Sequence, residues 1–353
     1  MSKAMQRGIR FAVFLCVTVA LGVWWGSAKA KAPVNKAPVN EVKAEAYKGW
    51  QEAYRLTNGI IELVVVPSLG GRIMRYGYVG GRNILWDNPT YYGKPIPYGD
   101  WTNHGGDKVW PWPQDDWGKI HPNAWPPPPE SDQMPHQAEI IGKDTLRITS
   151  PVMMPYGVRI VREIRLAPKG TQVFLTSYFR QEREGKEYPC GVWTVTQVPA
   201  TDWVLARLLP EAEKLSGGYK ATDAPFKAIT KLPQGVLQIE RNLEKATKMF
   251  TEADILASLQ EDTLFTVRFA KTPPADNKGR TYQPGDRAQV YCHLDDRAFL
   301  DKGFPTYIEL EMTSPTAVLK KGETITLEQV WELQRVPQGQ RTPEGIATLL
   351  KGM

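Results

Sequence analysis

The chain has 353 residues, 42% apolar and 23% charged, enough to bury a sizeable core as one large domain or two smaller ones. Its formal net charge of +6 is concentrated at the start: Lys3, Arg7, Arg10 and Lys29 stand in the first thirty residues without an acid, and beyond them forty basic residues face thirty-eight acidic ones. That balance carries no electrostatic footprint for nucleic acid, and three cysteines are too few for a disulfide scaffold.

Residues 1–30 have the order of an export signal: a basic start, an apolar run from Phe11 to Trp25, then Ala28-Lys29-Ala30 as a small-residue cleavage pattern. The run of roughly 15 residues is shorter than the ~20 that a spanning helix needs. Cleavage after Ala30, a periplasmic or secreted protein and no stable membrane insertion are therefore expected, with an uncleaved N-terminal anchor as the alternative. Residues 31–46 repeat a five-residue unit and end in a short charged run, which reads as a disordered linker.

A folded domain is expected over 47–336. Gln51 to Thr57 and Ile60 to Val66 are strand-like around Asn58-Gly59, a hairpin signal in which both residues accept positive φ. Arg72 to Val79 continues the meander. Strand-like runs resume at 138–141, 145–150, 158–166, 172–180, 192–198, 228–229, 236–241, 263–270, 288–294, 306–313 and 324–333, many of them β-branched and spaced as in a sandwich or barrel. The fold class is all-β. Helices are expected only at Glu252 to Leu259 and, in the tail 337–353, from Thr342-Pro343-Glu344 to Lys351, where a cap, a first-turn Pro and an acid coincide.

Between these strands, Trp86 to Pro129 holds six of the twelve Trp, ten of the twenty-nine Pro and two of the four His. Pro removes backbone donors and restricts its neighbours, so the segment reads as a long irregular loop, and its Trp content marks it as ordered and functional. Trp101, Trp110, Trp112 and Trp117 beside Asn103, His104, Asp107, Lys108 and Gln114 offer flat apolar faces next to short polar groups. A sugar ring needs that combination. The alternative is a plug of Trp closing the end of a barrel or sandwich.

No phosphate loop, nucleophile elbow or helical His pair is present. His104, Asp107, His121 and His136 lack any metal-site spacing, so neither metal nor cofactor is expected. Cys190 and Cys292 could form one bridge or remain two half-buried thiols in separate strands. The oligomeric state cannot be read from the sequence.

Three blocks carry a resemblance: LTNGIIELVVVPSLGGRIMRYGY at 56–78, NHGGDKVWPWPQDDW at 103–117 followed by WPPPP, and TYIELEMTSPTAVLKKGETITLEQVWEL at 306–333. Together they resemble the galactose mutarotase-like, or aldose 1-epimerase-like, superfamily over about residues 50 to 336, closest to a branch with a Gly-Gly-x-x-x-Trp-Pro loop. The resemblance implies one antiparallel β-supersandwich with few short helices and a concave face that takes a carbohydrate. Asn103-His104-Gly105-Gly106 is similar to the block that supplies a His at the sugar, and Glu309 and Glu311, before Pro315 and Lys321-Gly322-Glu323, match the late strand that supplies the general base. Alternation puts Tyr307, Glu309 and Glu311 on one side of that strand.

The resemblance thus implies Glu309, His104 and Glu311 as catalytic, with Asn103, Asp107, Lys108, Trp101, Trp110, Trp112, Trp117, Gln114 and Arg72 at the substrate. One feature departs from the family. Its second His has no counterpart in Trp193-Thr194-Val195-Thr196-Gln197. An acid for the ring oxygen must then come from His104, His293 or His136, or the activity is lost. An aldose 1-epimerase-type enzyme, a non-catalytic glycan-binding protein and a structural module of the envelope all remain open.

Overall fold

Period-two runs of Val, Ile, Thr and aromatic residues pair into two antiparallel sheets, each presenting one apolar face to the other. The computed structural model describes residues 40–120, 124–154, 156–184, 188–222, 226–273, 276–277 and 280–353. The expected export signal and most of the expected linker lie outside the described residues. Numbered in chain order, the first sheet runs in space β1 (Glu41–Tyr47), β2 (Trp50–Thr57), β3 (Ile61–Val66), β4 (Arg72–Tyr78), β5 (Asp107–Trp112), β10 (Pro189–Pro199), β21 (Tyr307–Thr313), β20 (Ala288–Cys292), β15 (Thr247–Thr251) and β12 (Tyr219–Ala221), with β22 (Ala317–Val318) paired to the start of β10. The second runs β13 (Ala228–Leu232), β14 (Val236–Glu240), β11 (Trp203–Leu208), β16 (Ala253–Gln260), β17 (Thr263–Phe269), β23 (Thr324–Arg335), β9 (Val173–Gln181), β8 (Val158–Leu166), β7 (Thr145–Met153) and β6 (Gln137–Ile141). Two short strands, β18 (Asp276–Asn277) and β19 (Arg280–Thr281), pair only with each other.

The core lies between the sheets. Leu63, Ile73, Val109, Ile308 and Leu310 of the first meet Ile160, Phe179, Leu256 and Val267 of the second. Tyr76 packs edge-on to Phe265 at 5.8 Å and near Trp331 at 5.7 Å, so one aromatic triangle bridges both sheets. The all-β architecture expected from the sequence is present, but four local expectations are corrected.

The linker ends earlier than expected, because residues 41–47 form β1 and pair with β2 from Glu41 opposite Thr57 to Tyr47 opposite Trp50. At the Asn58-Gly59 turn only Gly59 has positive φ. Asn58 instead accepts from the amides of Ile60 and Ile61 and donates to the carbonyls of Ala167 and Gly170, tying the turn to the opposite sheet. Glu252 to Leu259 is not helical but falls almost wholly in β16. Its apolar run lacks alternation because both faces are covered: Leu256 faces the sandwich core, while Ile255 and Ala257 pack under Ile346, Ala347 and Leu350 of the C-terminal helix. β11, β12 and β15 escaped the sequence analysis for want of a clear alternating pattern.

The largest correction concerns the Trp-rich loop. Its middle is β5, which pairs with β10 from Asp107 opposite Thr196 to Trp112 opposite Gly191. Pro111 is tolerated there because β4 and β5 pair only at Ile73 and Asp107, leaving the rest of that side unladdered. Gly105 and Gly106, at φ +90 and +74, lead into the strand so close to their neighbours that a Cβ would stand 2.3 Å from the Trp86 carbonyl and 2.5 Å from that of Ile73. Only glycine fits that approach.

The C-terminal helix, Pro343–Lys351, forms as expected: Thr342 caps it by accepting from the Gly345 amide at 3.1 Å. Thr342→Ala should lower stability by about 1 kcal/mol, measured by urea unfolding. An unchanged midpoint would show that the cap contributes nothing.

Candidate functional site

Strand alternation decides what faces outward on the first sheet. Ile308, Leu310 and Met312 of β21 join the core, as do Val109 of β5 and Val290 and Cys292 of β20. Their neighbours Tyr307, Glu309, Glu311, Lys108, Trp110, Gln289 and Tyr291 therefore share the outer face, and Trp193, Val195 and Gln197 lie on the same side of β10. Register then sets the rows: Gln197 stands opposite Glu309, and Glu309 opposite Tyr291.

The two acids expected side by side have different surroundings. Glu309, 13% exposed at its side chain, accepts from Gln197 Nε2 at 2.8 Å and from the Lys108 ammonium at 3.4 Å. Glu311 is sealed, accepting from Trp193 Nε1 at 2.6 Å and from Lys248 at 3.0 Å. Each lysine lies over an indole, Lys108 4.9 Å from the Trp110 ring and Lys248 4.6 Å from Trp193. Burial pushes Lys108 below the usual lysine range against the pull of Glu309. Burial likewise raises the Glu311 carboxyl to about 7, with Lys248 opposing and Glu309 adding to the rise. Glu309 is the partly exposed acid; Glu311 is its buried neighbour.

Beyond Glu309 lies a cluster that the sequence did not single out as a unit. The Tyr291 hydroxyl is 3.0 Å from His293 Nδ1, and the His293 ring stacks on Tyr307 at 4.7 Å and 9°. Burial lowers His293 below its ordinary value, while Asp296 and Glu309 pull it up. Its side chain keeps 19% exposure. The sequence offers His293 as one of three candidate acids, and continuing the alternation of β20 from Gln289 through Tyr291 places it on the outer face.

The remaining expected residues divide by location. Lys108 stands at Glu309. Asn103 lies near Tyr307, whose hydroxyl it influences, and its Oδ1 accepts from the Gly105 amide at 3.2 Å. Asp107 points the other way, into the sandwich, where it pairs with Arg162 of β8 and accepts from Thr196 at 2.9 Å. It is therefore structural, because residue 108 takes the outward place. Arg72 is also committed: it holds the Asp132 carboxylate at 2.5 Å and the Gly105 carbonyl at 3.1 Å under the loop. Trp110 donates to that same carboxylate at 2.8 Å.

His104 is buried with both ring nitrogens taken up inside the loop, Nε2 at 3.1 Å from the Lys94 carbonyl and Nδ1 beside Thr102, and its ring stacks on Tyr91. Burial holds it down to about 4. A neutral, engaged imidazole cannot serve as the acid expected of it; it braces the loop. His136 is likewise buried, its Nε2 at 2.9 Å from the Glu130 carbonyl. Trp117, Trp110 and Trp112 pack with Trp193 as a closed cluster rather than an open platform. Trp101 is half-buried, and Gln114 is half-buried in a short turn, Gln114–Asp116. Cys190 and Cys292 are separate buried thiols. Among the described residues no group of acids, His and Cys is arranged to hold a metal, and no helix is long and apolar enough to cross a membrane.

A family model described as "Domain of unknown function (DUF4380)" matches residues 52–334. The chain belongs to the DUF4380 family. No curated protein matches this DUF4380 chain in sequence. Its fold is similar to that of a TPR-domain containing protein from Parabacteroides distasonis, with TM-score 0.53 and 13% identity over 85% of this chain. The chain spans only 54% of that protein's length. It is also similar to YeaD, a candidate mutarotase from Salmonella typhimurium, with TM-score 0.52 and 10% identity over 84% of this chain and 94% of that one. The DUF4380 chain thus has the galactose mutarotase-like β-sandwich fold.

Two measurements check these assignments. Trp117→Ala should destabilise the protein by about 3–5 kcal/mol, as for a buried core Trp, seen in urea unfolding; a stable variant would return Trp117 to the ligand. Because burial raises Glu311 from 4.5 to about 7, the folded state holds a proton there that the unfolded chain has released, so stability falls as pH rises through that window. Glu311→Gln should flatten this part of the stability profile between pH 5 and 7.5, and an unchanged slope would show that Glu311 does not titrate there.

Proposed function

We propose that this DUF4380 protein binds a carbohydrate on the outer face of its first sheet and acts at the anomeric centre as an aldose 1-epimerase-type enzyme, with Glu309 as base and His293 as acid. The observation that carries this is the convergence of Glu309, Tyr291 and His293 on one partly open patch, with Tyr291 opposite Glu309 and bonded to His293. The Glu309 carboxylate would take the proton of the anomeric hydroxyl while His293 gives one to the ring oxygen. The bond from that oxygen to the anomeric carbon then breaks, the open-chain aldehyde turns, and the ring recloses with the proton transfers reversed. Gln197 and Lys108 orient the carboxylate; Tyr307 and Tyr291 orient the imidazole.

A second reading, a glycan-binding protein without turnover, is favoured by one feature of the same site. The ammonium of Lys108 stands on Glu309 at 3.4 Å and Gln197 Nε2 at 2.8 Å, both on the same carboxylate oxygen, so part of its accepting capacity is already used within the protein. Export through a leader cleaved after Ala30 belongs to both readings.

The two are separated by following freshly dissolved α-glucose, α-galactose and a panel of other aldoses, uronic acids and sugar phosphates to anomeric equilibrium by polarimetry or NMR. The enzyme should outpace buffer, and Glu309→Gln should lose ~10² to 10⁴ in rate with little change in stability. A wild type no faster than buffer removes the enzyme reading in favour of the binding one. For export, intact-mass analysis of envelope-purified protein should show a chain starting at Lys31; full-length protein confined to the cytoplasm would contradict it.

A further inference from the structure

The closed Trp cluster has one member on its outer side. Trp125 stacks on Trp117 at 6.2 Å and 22°, meets Trp110 edge-on at 6.0 Å and Trp101 at 5.2 Å, yet remains 44% exposed. Beside it, the Trp101 indole N–H is buried with no acceptor among the described residues. A large indole fixed on three sides and bare on the fourth is pre-ordered for stacking, since binding costs it little rotamer freedom. One indole is too small an apolar patch to seat a protein or a lipid surface. The C–H face of a pyranose fits it.

The position relative to Glu309 gives this meaning. The Trp110 ring, 6.0 Å from Trp125, carries the Lys108 ammonium at 4.9 Å, and that ammonium is 3.4 Å from Glu309. The exposed Trp125 is thus linked to the carboxylate through one buried indole of β5 and the Lys108 ammonium. We infer that Trp125, with Trp101 beside it, is a subsite for a second sugar unit, so that the site takes the reducing end of an oligosaccharide rather than a free monosaccharide. The inference rests on the proposed reading of the Glu309 site.

The test is isothermal titration of the full chain with glucose and galactose, then with cellobiose, lactose and maltose and the trisaccharides cellotriose and maltotriose, for wild type, Trp125→Ala and Trp125→Phe. Affinity should rise about tenfold or more from monosaccharide to the best di- or trisaccharide, the share of one stacked aromatic. Trp125→Ala should abolish that ratio, and Trp125→Phe, which keeps the packing on Trp117, should retain part of it. Equal affinity for mono- and oligosaccharides in the wild type, or a length dependence that survives in Trp125→Ala, overturns the subsite. If monosaccharides turn over in a Glu309-dependent way without length dependence, the anomeric reading stands and only the subsite falls; if no sugar in the panel binds, both fall.

Discussion

The arrangement depends on one buried ion pair. Asp107 of β5 meets Arg162 of β8 inside the sandwich, with the Thr196 hydroxyl on the same carboxylate, and charges so deep persist only when paired. The pair ties the first sheet to the second at the centre of the molecule, and it fixes the register of β5. A slip of one residue would bury Lys108 beside Ile160 of β8 and turn Asp107 and Val109 outward, exchanging every side chain of the strand between core and outer face. With Asp107 held inward, Lys108 and Trp110 must face outward.

From that register the outer face acquires its charge pattern. Two lysines meet two glutamates, and each lysine also covers an indole, so each ammonium has an acid and a π face beside it in a region where an unpartnered charge would be costly. Their environments are unequal. Trp193, Lys248 and burial surround Glu311, whereas Glu309 keeps an edge toward Tyr291, Tyr307 and His293. Two carboxylates two residues apart on one strand thus become one structural group and one group open to chemistry. The segment from Trp86 to His136 completes the face from the side: Arg72, Trp110 and Asp132 pin it to the sheet, and His104 braces its interior.

Much of this was legible in the sequence. The long alternating strands, the capped final helix and the shared side of Tyr307, Glu309 and Glu311 follow from period-two patterning and cap chemistry. β16 was obscured because both its faces are covered, which removes alternation. β5 was obscured by Pro111 and by its Trp residues, which look like loop composition until the unpaired side of the strand is known. His104 and Asp107 carried motif-like spacing, but spacing does not reveal that one imidazole has both nitrogens engaged or that one carboxylate faces inward. His293 stands within the expected run 288–294 and among the candidate acids, but sequence does not reveal that its ring meets Tyr291 and Tyr307 beside Glu309.

The central claim, a sugar seated between Glu309 and His293, is tested most directly by side-chain NMR of the imidazoles during titration with a reducing sugar. The resonances of His293 should move with ligand concentration while those of His104 and His136, locked under the loop, stay in place. Binding that leaves His293 unmoved would put the ligand elsewhere and contradict the account.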